Sequence, residues 1–171
     1  SITLTKKILP MKRRNKVKLN EVMDSPLKYK WRSKLDDMWE AKFFINKGKK
    51  DELEFTVTIV ESFVYDKEVR GIKSMAKYSG EDVWDISFTN DSPSAKSDVY
   101  GISNDGEAIK VFSTAIAIIG EFLKKNKPFL IRLEAKEASR KKLYERLIRV
   151  FGTKFGYKEM PGNGKYFLMK Q

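Results

Sequence analysis

The sequence predicts an α+β domain with a mixed, mostly antiparallel sheet and two C-terminal helices, preceded by a basic N-terminal arm. Apolar and polar residues alternate in several short segments between residues 38 and 102, which is typical of half-buried strands. From residue 107 the apolar spacing changes to that of a helix, and a second helical pattern begins at residue 139. Residues 1 to about 17 follow neither period, which indicates an extended arm.

Charge divides the chain into two parts. Residues 1–34 hold 11 Lys and Arg side chains against two acidic ones, a net charge of +9, so the rest contributes +3 of the total +12. We therefore assign a basic arm to residues 1–34 and a single α/β domain to residues 35–171. Within the domain, a strand-rich part covers residues 38–102, and a strand–helix–strand–helix–hairpin part covers residues 98–169.

The basic arm is predicted to contact nucleic acid or an acidic protein surface, because a segment of this charge is attracted to polyanions. A solubilising tail without a partner is the alternative. The basic residues assigned to this contact are Lys6, Lys7, Lys12, Arg13, Arg14, Lys16, Lys18, Lys28, Lys30 and Arg32.

Two aromatic residues, Tyr29 and Trp31, alternate with the last basic residues of the arm. Aromatic side chains in such a position can stack on the bases of single-stranded nucleic acid. The same alternation is also typical of an edge strand that docks its aromatic side into a core. We favour the edge strand.

The strand-rich part contains one clear hairpin and three further strand patterns. Residues 38–45 and 55–59 alternate around a turn at 46–49, which predicts the hairpin. Residues 69–78 form a weaker strand pattern, and residues 98–102 a short one. Residues 83–89 form a stronger pattern, with Trp84, Ile86 and Phe88 on one face.

The second part begins with a helix over residues 107–125 that is apolar over most of its circumference and is therefore predicted to be buried. Asp105 is the predicted N-cap, and Pro128 follows the end of the helix. A strand with Phe129, Ile131 and Leu133 on one face follows, then a helix from residue 139 to about 151 and a hairpin over 157–160 and 165–169. The strand–helix–strand crossover predicts one parallel strand pair.

Composition excludes several kinds of chemistry. The chain has neither cysteine nor histidine, so disulfides, thiolate metal sites, cysteine nucleophiles and Ser–His triads are excluded. Any catalysis must use Asp, Glu, Lys, Tyr or backbone groups, and we expect no metal site. No apolar run reaches the roughly 20 residues that span a bilayer, and no signal-peptide core is present, so we expect neither secretion nor membrane insertion.

Residues 98–169 resemble the GNAT acetyltransferase fold. In that family a strand leads into a pyrophosphate-binding loop, Gln/Arg-x-x-Gly-x-Gly/Ala, at a helix N-terminus, and a later helix often carries an Arg and a Leu-Tyr pair. The loop positions here are Ser103, Asn104, Asp105, Gly106, Glu107 and Ala108, and the later helix carries Arg140, Leu143 and Tyr144. The resemblance implies that backbone N–H groups of the loop bind coenzyme A, and that Tyr144 protonates the departing thiolate.

The loop departs from the family pattern in ways that disfavour this ligand. Ser103 stands where the family has Gln or Arg, and Asp105 and Glu107 place two carboxylates beside the expected pyrophosphate. Like charges this close cost on the order of 1 kcal/mol each. The sequence therefore favours a non-catalytic binding or structural module that needs no cofactor. The alternative is an acetyl-CoA-dependent N-acetyltransferase with Tyr144 as acid and Glu134 as base.

A wider resemblance links most of the chain to a group of small bacteriophage proteins. It is carried by the segment from Asp24 to Trp31, by residues 111–115 and by the Ser139 to Tyr144 pattern. The resemblance implies a viral origin, a location in the host cytoplasm or the virion, and a virion or host protein as partner. It implies no reaction and no oligomeric state.

Overall fold

The computed structural model describes residues 26–92, 105–134, 138–163 and 165–171, with only the backbone described at 105, 106 and 138–143. The arm over residues 1–25 and the predicted strand at 98–102 lie outside these ranges. In chain order the elements are β1 (Tyr29–Lys34), β2 (Met38–Ile45), β3 (Leu53–Phe63), α1 (Asp66–Val69), a 3-10 turn (Ala76–Tyr78), β4 (Asp82–Asn90), α2 (Asp105–Asn126), β5 (Leu130–Leu133), α3 (Ala138–Phe155), β6 (Tyr157–Met160) and β7 (Tyr166–Lys170).

The strands form one seven-stranded sheet in the order β1-β2-β3-β4-β5-β7-β6. Every neighbouring pair is antiparallel except β4 and β5, which are parallel and joined through α2. The predicted mixed sheet, hairpins and crossover are therefore confirmed, with β4 as the parallel partner of β5. Because β4 and β5 are joined by a crossover helix, their carboxyl ends lie at the same edge of the sheet.

β4 and β5 pair with each other over only a short length. Their register runs from the Trp84–Ile131 pair to the Ile86–Leu133 pair, whereas β4 pairs with β3 along its whole length up to Asn90. Beyond Ile86, β4 has no neighbouring strand on its β5 side within the described residues. β5 ends at Leu133, so β4 continues beyond the end of its parallel partner.

The main core lies between one face of the sheet and the two long helices. α2 contributes side chains that are almost fully buried, such as Val111, Ile118 and Phe122, and α3 contributes Leu147 and Phe151. This confirms the predicted buried helix, which begins at Asp105. α3 extends beyond residue 151 to Phe155 and ends at Gly156, whose φ of 75° is typical of a residue that terminates a helix.

The opposite face of the sheet is covered near β4, β5 and β7 by residues 64–81, which connect β3 to β4. Val64, Val69 and Met75 from this connection pack in a second apolar cluster with Leu130 and Phe167. The predicted strand over 69–78 is wrong, because this segment consists of the end of α1, a turn and a 3-10 turn. The buried residues of this segment are widely spaced along the chain, whereas a half-buried strand would bury every second residue.

β5 departs from the simple alternation that the sequence predicts. All four residues of the strand, including Arg132, are buried, because helices cover one face and the second cluster covers the other. Phe129, which was predicted to belong to this strand, lies just before it and is 55% exposed. Its ring lies 6.2 Å from that of Tyr78.

Candidate functional site

A cavity of about 380 Å³ lies at the carboxyl end of β5, beside β4. This volume is at the small end of the range for sites that take small molecules. The lining residues are Ser62, Tyr65, Asp85, Ile86, Ser87, Arg132, Glu134, Tyr144 and Lys165. They come from β3, the β3–β4 connection, β4, β5, α3 and the β6–β7 hairpin, so only the folded chain brings them together.

Arg132 forms the buried base of this cavity and is 2% exposed. Its Nε and Nη2 atoms donate to the two carboxylate oxygens of Asp85 at 2.5 Å each. Nη1 donates to Glu68 Oε2 at 2.7 Å and to the carbonyl of Phe63 at 2.9 Å, and Nη2 also donates to Ser62 Oγ at 3.3 Å. These five contacts match the five N–H groups of a guanidinium. Arg132 therefore has no donor left for a ligand in this arrangement.

The charge state of Arg132 is secured by its two carboxylate partners. Burial by itself would lower the pKa of the guanidinium, but the hydrogen bonds and charges of Asp85 and Glu68 outweigh it, and the pKa is raised. The guanidinium therefore stays protonated in its buried position.

Glu68 connects Arg132 to a second cation. This carboxylate is 4% exposed, and its Oε1 accepts from Lys165 Nζ at 2.8 Å while Oε2 accepts from Arg132. Lys165 Nζ also lies 3.8 Å from Glu134 Oε2. The ion network of Arg132, Lys165, Glu68, Asp85 and Glu134 thus ties the β3–β4 connection and the β6–β7 hairpin to β4 and β5.

The two residues assigned by sequence to acid and base roles, Tyr144 and Glu134, both line this cavity. Tyr144 is 1% exposed and projects from α3, whereas the Glu134 side chain follows β5 and is 44% exposed. No described residue of the predicted coenzyme A loop lines the cavity. Ser103 and Asn104 lie outside the described residues, and Asp105 to Ala108 form the first turn of α2.

Glu107 has a partner on the β2–β3 turn, because Asn46 Nδ2 donates to its Oε1 at 3.1 Å. This carboxylate is therefore held at the hairpin turn.

Most of the ion network was missed by the sequence interpretation. The one available signal was Arg132 itself, a cation inside an otherwise apolar run of four residues.

The second charged region is the outer edge of the sheet at β1. Lys28, Lys30 and Arg32 are exposed, and none of them forms an ion pair within the described ranges. The next cation, Lys34, differs because its Nζ lies 3.5 Å from Glu121 Oε2. The remaining candidate contact residues, Lys6 to Lys18, lie outside the described part of the chain.

The aromatic residues of β1 point into the protein. The Trp31 ring meets Tyr29 and Trp39 edge-to-face at centroid distances of 6.1 and 5.0 Å, and Trp39 in turn meets Phe122 of α2 at 5.4 Å. This confirms the edge-strand interpretation of β1. Tyr29 and Trp31 are therefore not presented for stacking on bases.

The start of β1 is attached to α2. The backbone N–H of Leu27 donates to Thr114 Oγ1 at 2.7 Å, and that hydroxyl donates to the carbonyl of Lys110 at 2.6 Å. The point at which the basic segment joins the domain is thus held against the helix.

Among the described residues, no helix is long and apolar enough to cross a membrane.

The fold and the two charged regions define a mixed α+β domain with an ion-lined cavity and a basic sheet edge. A family model described as "Family of unknown function (DUF6934)" matches residues 29–157, and the chain belongs to this family. The matched segment contains β1 and every cavity residue except Lys165. No curated protein and no solved structure matches the chain.

Proposed function

We propose that this protein is a non-catalytic binding module whose basic N-terminal segment, ending in β1, contacts nucleic acid. The proposal is carried by one observation: Lys28, Lys30 and Arg32 are exposed and unpaired in the described residues, while the aromatic residues between them are partly buried and pack against the core. An edge strand that leaves successive cations without partners presents a line of positive charge to a polyanion.

The expected contact is electrostatic and independent of base sequence. Residues two apart on a strand are separated by about 6.5 Å, so Lys28 and Lys30 can meet successive charges of an extended phosphate backbone. With the aromatic rings packed inside, no stacking or base reading is available at β1. Affinity should therefore fall steeply with salt, because each phosphate contact releases counterions.

The domain behind this edge is proposed to be a GNAT-like scaffold used for binding. The order β4, α2, β5, α3 and the closing hairpin agrees with what the sequence resemblance implies, and this supports the proposal. In the cavity's ion network, every N–H group of Arg132 and both oxygens of Glu68 already have partners within the protein, which favours a structural use of these two side chains over catalysis. The bacteriophage origin, with a place in the virion or the host cytoplasm, belongs to the same proposal and is supported by resemblance alone.

The test compares two variants of the full chain that change charge equally. One carries Lys28→Glu, Lys30→Glu and Arg32→Glu, and the control carries Lys47→Glu, Lys49→Glu and Lys50→Glu in the exposed β2–β3 turn. Binding to labelled single- and double-stranded oligonucleotides is followed by fluorescence anisotropy over a salt series.

We expect the β1 variant to lose affinity by on the order of tenfold or more and to show a shallower salt dependence. The turn variant should lose much less. Equal losses of affinity in both variants would show that only the net charge of the chain matters, which would contradict a specific role for β1. If the wild-type chain bound polyaspartate in preference to nucleic acid, the partner would be an acidic protein instead.

An acetyl-CoA-dependent N-acetyltransferase is the second candidate, favoured by the presence of Tyr144 and Glu134 in one cavity. In this mechanism an amine attacks the thioester, Glu134 accepts the amine proton directly or through water, and Tyr144 donates a proton to the departing thiolate. Calorimetry with acetyl-CoA provides the test. Absence of binding at millimolar ligand would eliminate this candidate.

A further inference from the structure

We propose that the cavity between β4, β5 and α3 is a binding site for a small organic cation that carries a primary ammonium group. This inference depends neither on nucleic-acid binding at β1 nor on coenzyme A. It is based on the charges of the ion network and on which of their atoms remain available to a ligand.

The network has more negative than positive charge. Two cations, Arg132 and Lys165, face three carboxylates, those of Glu68, Asp85 and Glu134, which leaves a formal charge of −1. Because the site is partly shielded from water, this excess acts on a ligand more strongly than it would at an open surface. A cation entering the cavity would balance the network, and an anion would add to its excess.

The hydrogen bonds of the network also indicate a ligand with positive charge. All five N–H groups of Arg132 already have acceptors, so an anion would gain few donors here without breaking the network. Both oxygens of Glu68 are also occupied, one by Arg132 and one by Lys165. The buried members of the network therefore hold the protein together and leave recognition to the outer members.

Glu134 is the outer carboxylate that a ligand can reach. Its Oε1 accepts no hydrogen bond within the described ranges, and its Oε2 has only the 3.8 Å ion pair with Lys165. The ring of Tyr65, 47% exposed, forms part of the cavity wall and already contacts two of the protein's own cations, with Arg132 Cζ at 5.6 Å and Lys67 Nζ at 5.8 Å from its centroid. Ser87 adds a hydroxyl to the lining. In a cavity of this size, the Glu134 carboxylate and the Ser87 hydroxyl together suit an ammonium group on a compact carbon body.

The test uses three probes of nearly equal size and different charge: cyclohexylamine, cyclohexanol and cyclohexanecarboxylate. Binding to the full chain is measured by calorimetry and by chemical-shift changes at neutral pH. We expect the amine to bind, the alcohol to bind at least about tenfold more weakly, and the carboxylate not to bind. Equal binding of the three probes, tighter binding of the carboxylate, or no binding of the amine at millimolar concentration would overturn the proposal.

Glu134→Gln removes the charge and keeps the size of the side chain. We expect it to weaken cyclohexylamine binding by about tenfold, as for loss of a charged hydrogen-bond partner. The matched control, Glu159→Gln on exposed β6, should bind as the wild type does. Unchanged amine affinity in Glu134→Gln would show that the cavity does not recognise the cation as proposed, whatever the result for nucleic acid.

Discussion

The cations of the cavity and those of β1 differ in how completely the protein satisfies them. Arg132 is buried and gives every N–H group to the protein, with partners from several segments. Lys28, Lys30 and Arg32 are exposed and have no ion-pair partner in the described residues. A satisfied buried charge links parts of the fold, whereas an exposed and unpaired charge is available to another molecule. Stability and binding should therefore respond separately to changes in the two regions.

The largest expected effect is the loss of the buried guanidinium. Arg132→Met leaves Glu68 buried with only Lys165 as a partner and should lower the free energy of unfolding by about 3–5 kcal/mol. Urea denaturation measures this change. Arg70→Met, at an exposed ion pair with Asp66, is the control and should change stability by less than about 0.5 kcal/mol. Similar losses in both variants would contradict the distinction between the two kinds of cation.

The next effect comes from the carboxylate that joins two cations. Glu68→Gln keeps the shape of the side chain but replaces a charged acceptor of Arg132 and Lys165 with a neutral amide, so we expect a loss of about 1–3 kcal/mol in the free energy of unfolding. Glu61→Gln, an exposed change on β3, should have little effect on the same denaturation curve. If Glu68→Gln left the free energy of unfolding unchanged, Asp85 alone would be enough to satisfy Arg132.

A smaller effect is expected at another buried polar group, the hydroxyl of Tyr157. It donates to the carbonyl of Pro128 at 2.5 Å, and burial raises its pKa to about 12. Since the folded pKa lies above the ordinary value of about 10, this group's contribution is complete below that value and is lost as pH rises toward 12. Tyr157→Phe should cost about 1 kcal/mol at neutral pH.

The same substitution should also make the alkaline fall in stability shallower. Denaturation curves collected between neutral and strongly alkaline pH measure both effects. An unchanged profile in Tyr157→Phe would assign the alkaline loss to other groups, such as Tyr29 and Tyr166, whose pKa values burial also raises.

The smallest expected effect on stability for each substituted residue is at β1. The triple change Lys28→Glu, Lys30→Glu and Arg32→Glu should alter the free energy of unfolding by no more than about 0.5 kcal/mol for each site, because these side chains have no partners in the described residues. Thermal unfolding of the variant used in the binding assay measures this directly. A large loss of stability would mean that the exposed cations also support the fold.

The periodic patterns of the sequence were sufficient to predict much of the fold. The β2–β3 hairpin, the buried helix α2, the C-terminal hairpin and the parallel crossover are all confirmed. The segment at 69–78 was predicted wrongly because Val69 and Met75 are buried as separate anchors of the second cluster, which a search for alternation interprets as a strand. Gly71, with a φ of 79°, marks the turn between them.

The site was harder to predict than the fold. Tyr144 and Glu134 were identified from a family resemblance and from the end of a strand, and they do share a cavity. Glu68 and Lys165 carry no local signal, because they are 97 residues apart and meet only through the order of the strands. The burial of Arg132 could not be predicted, since neither period nor spacing shows that both faces of β5 are covered.

The irregularity in β1 has a consequence for how the protein behaves in concentrated solution. The register between β1 and β2 shifts between Trp31 and Ser33, which is typical of a β-bulge, and Arg32 lies within this shift. A bulged edge with successive cations is a poor template for another strand, so the edges of two molecules repel and mismatch when they meet. The exposed edge of this sheet is thereby protected from growing into an intermolecular sheet.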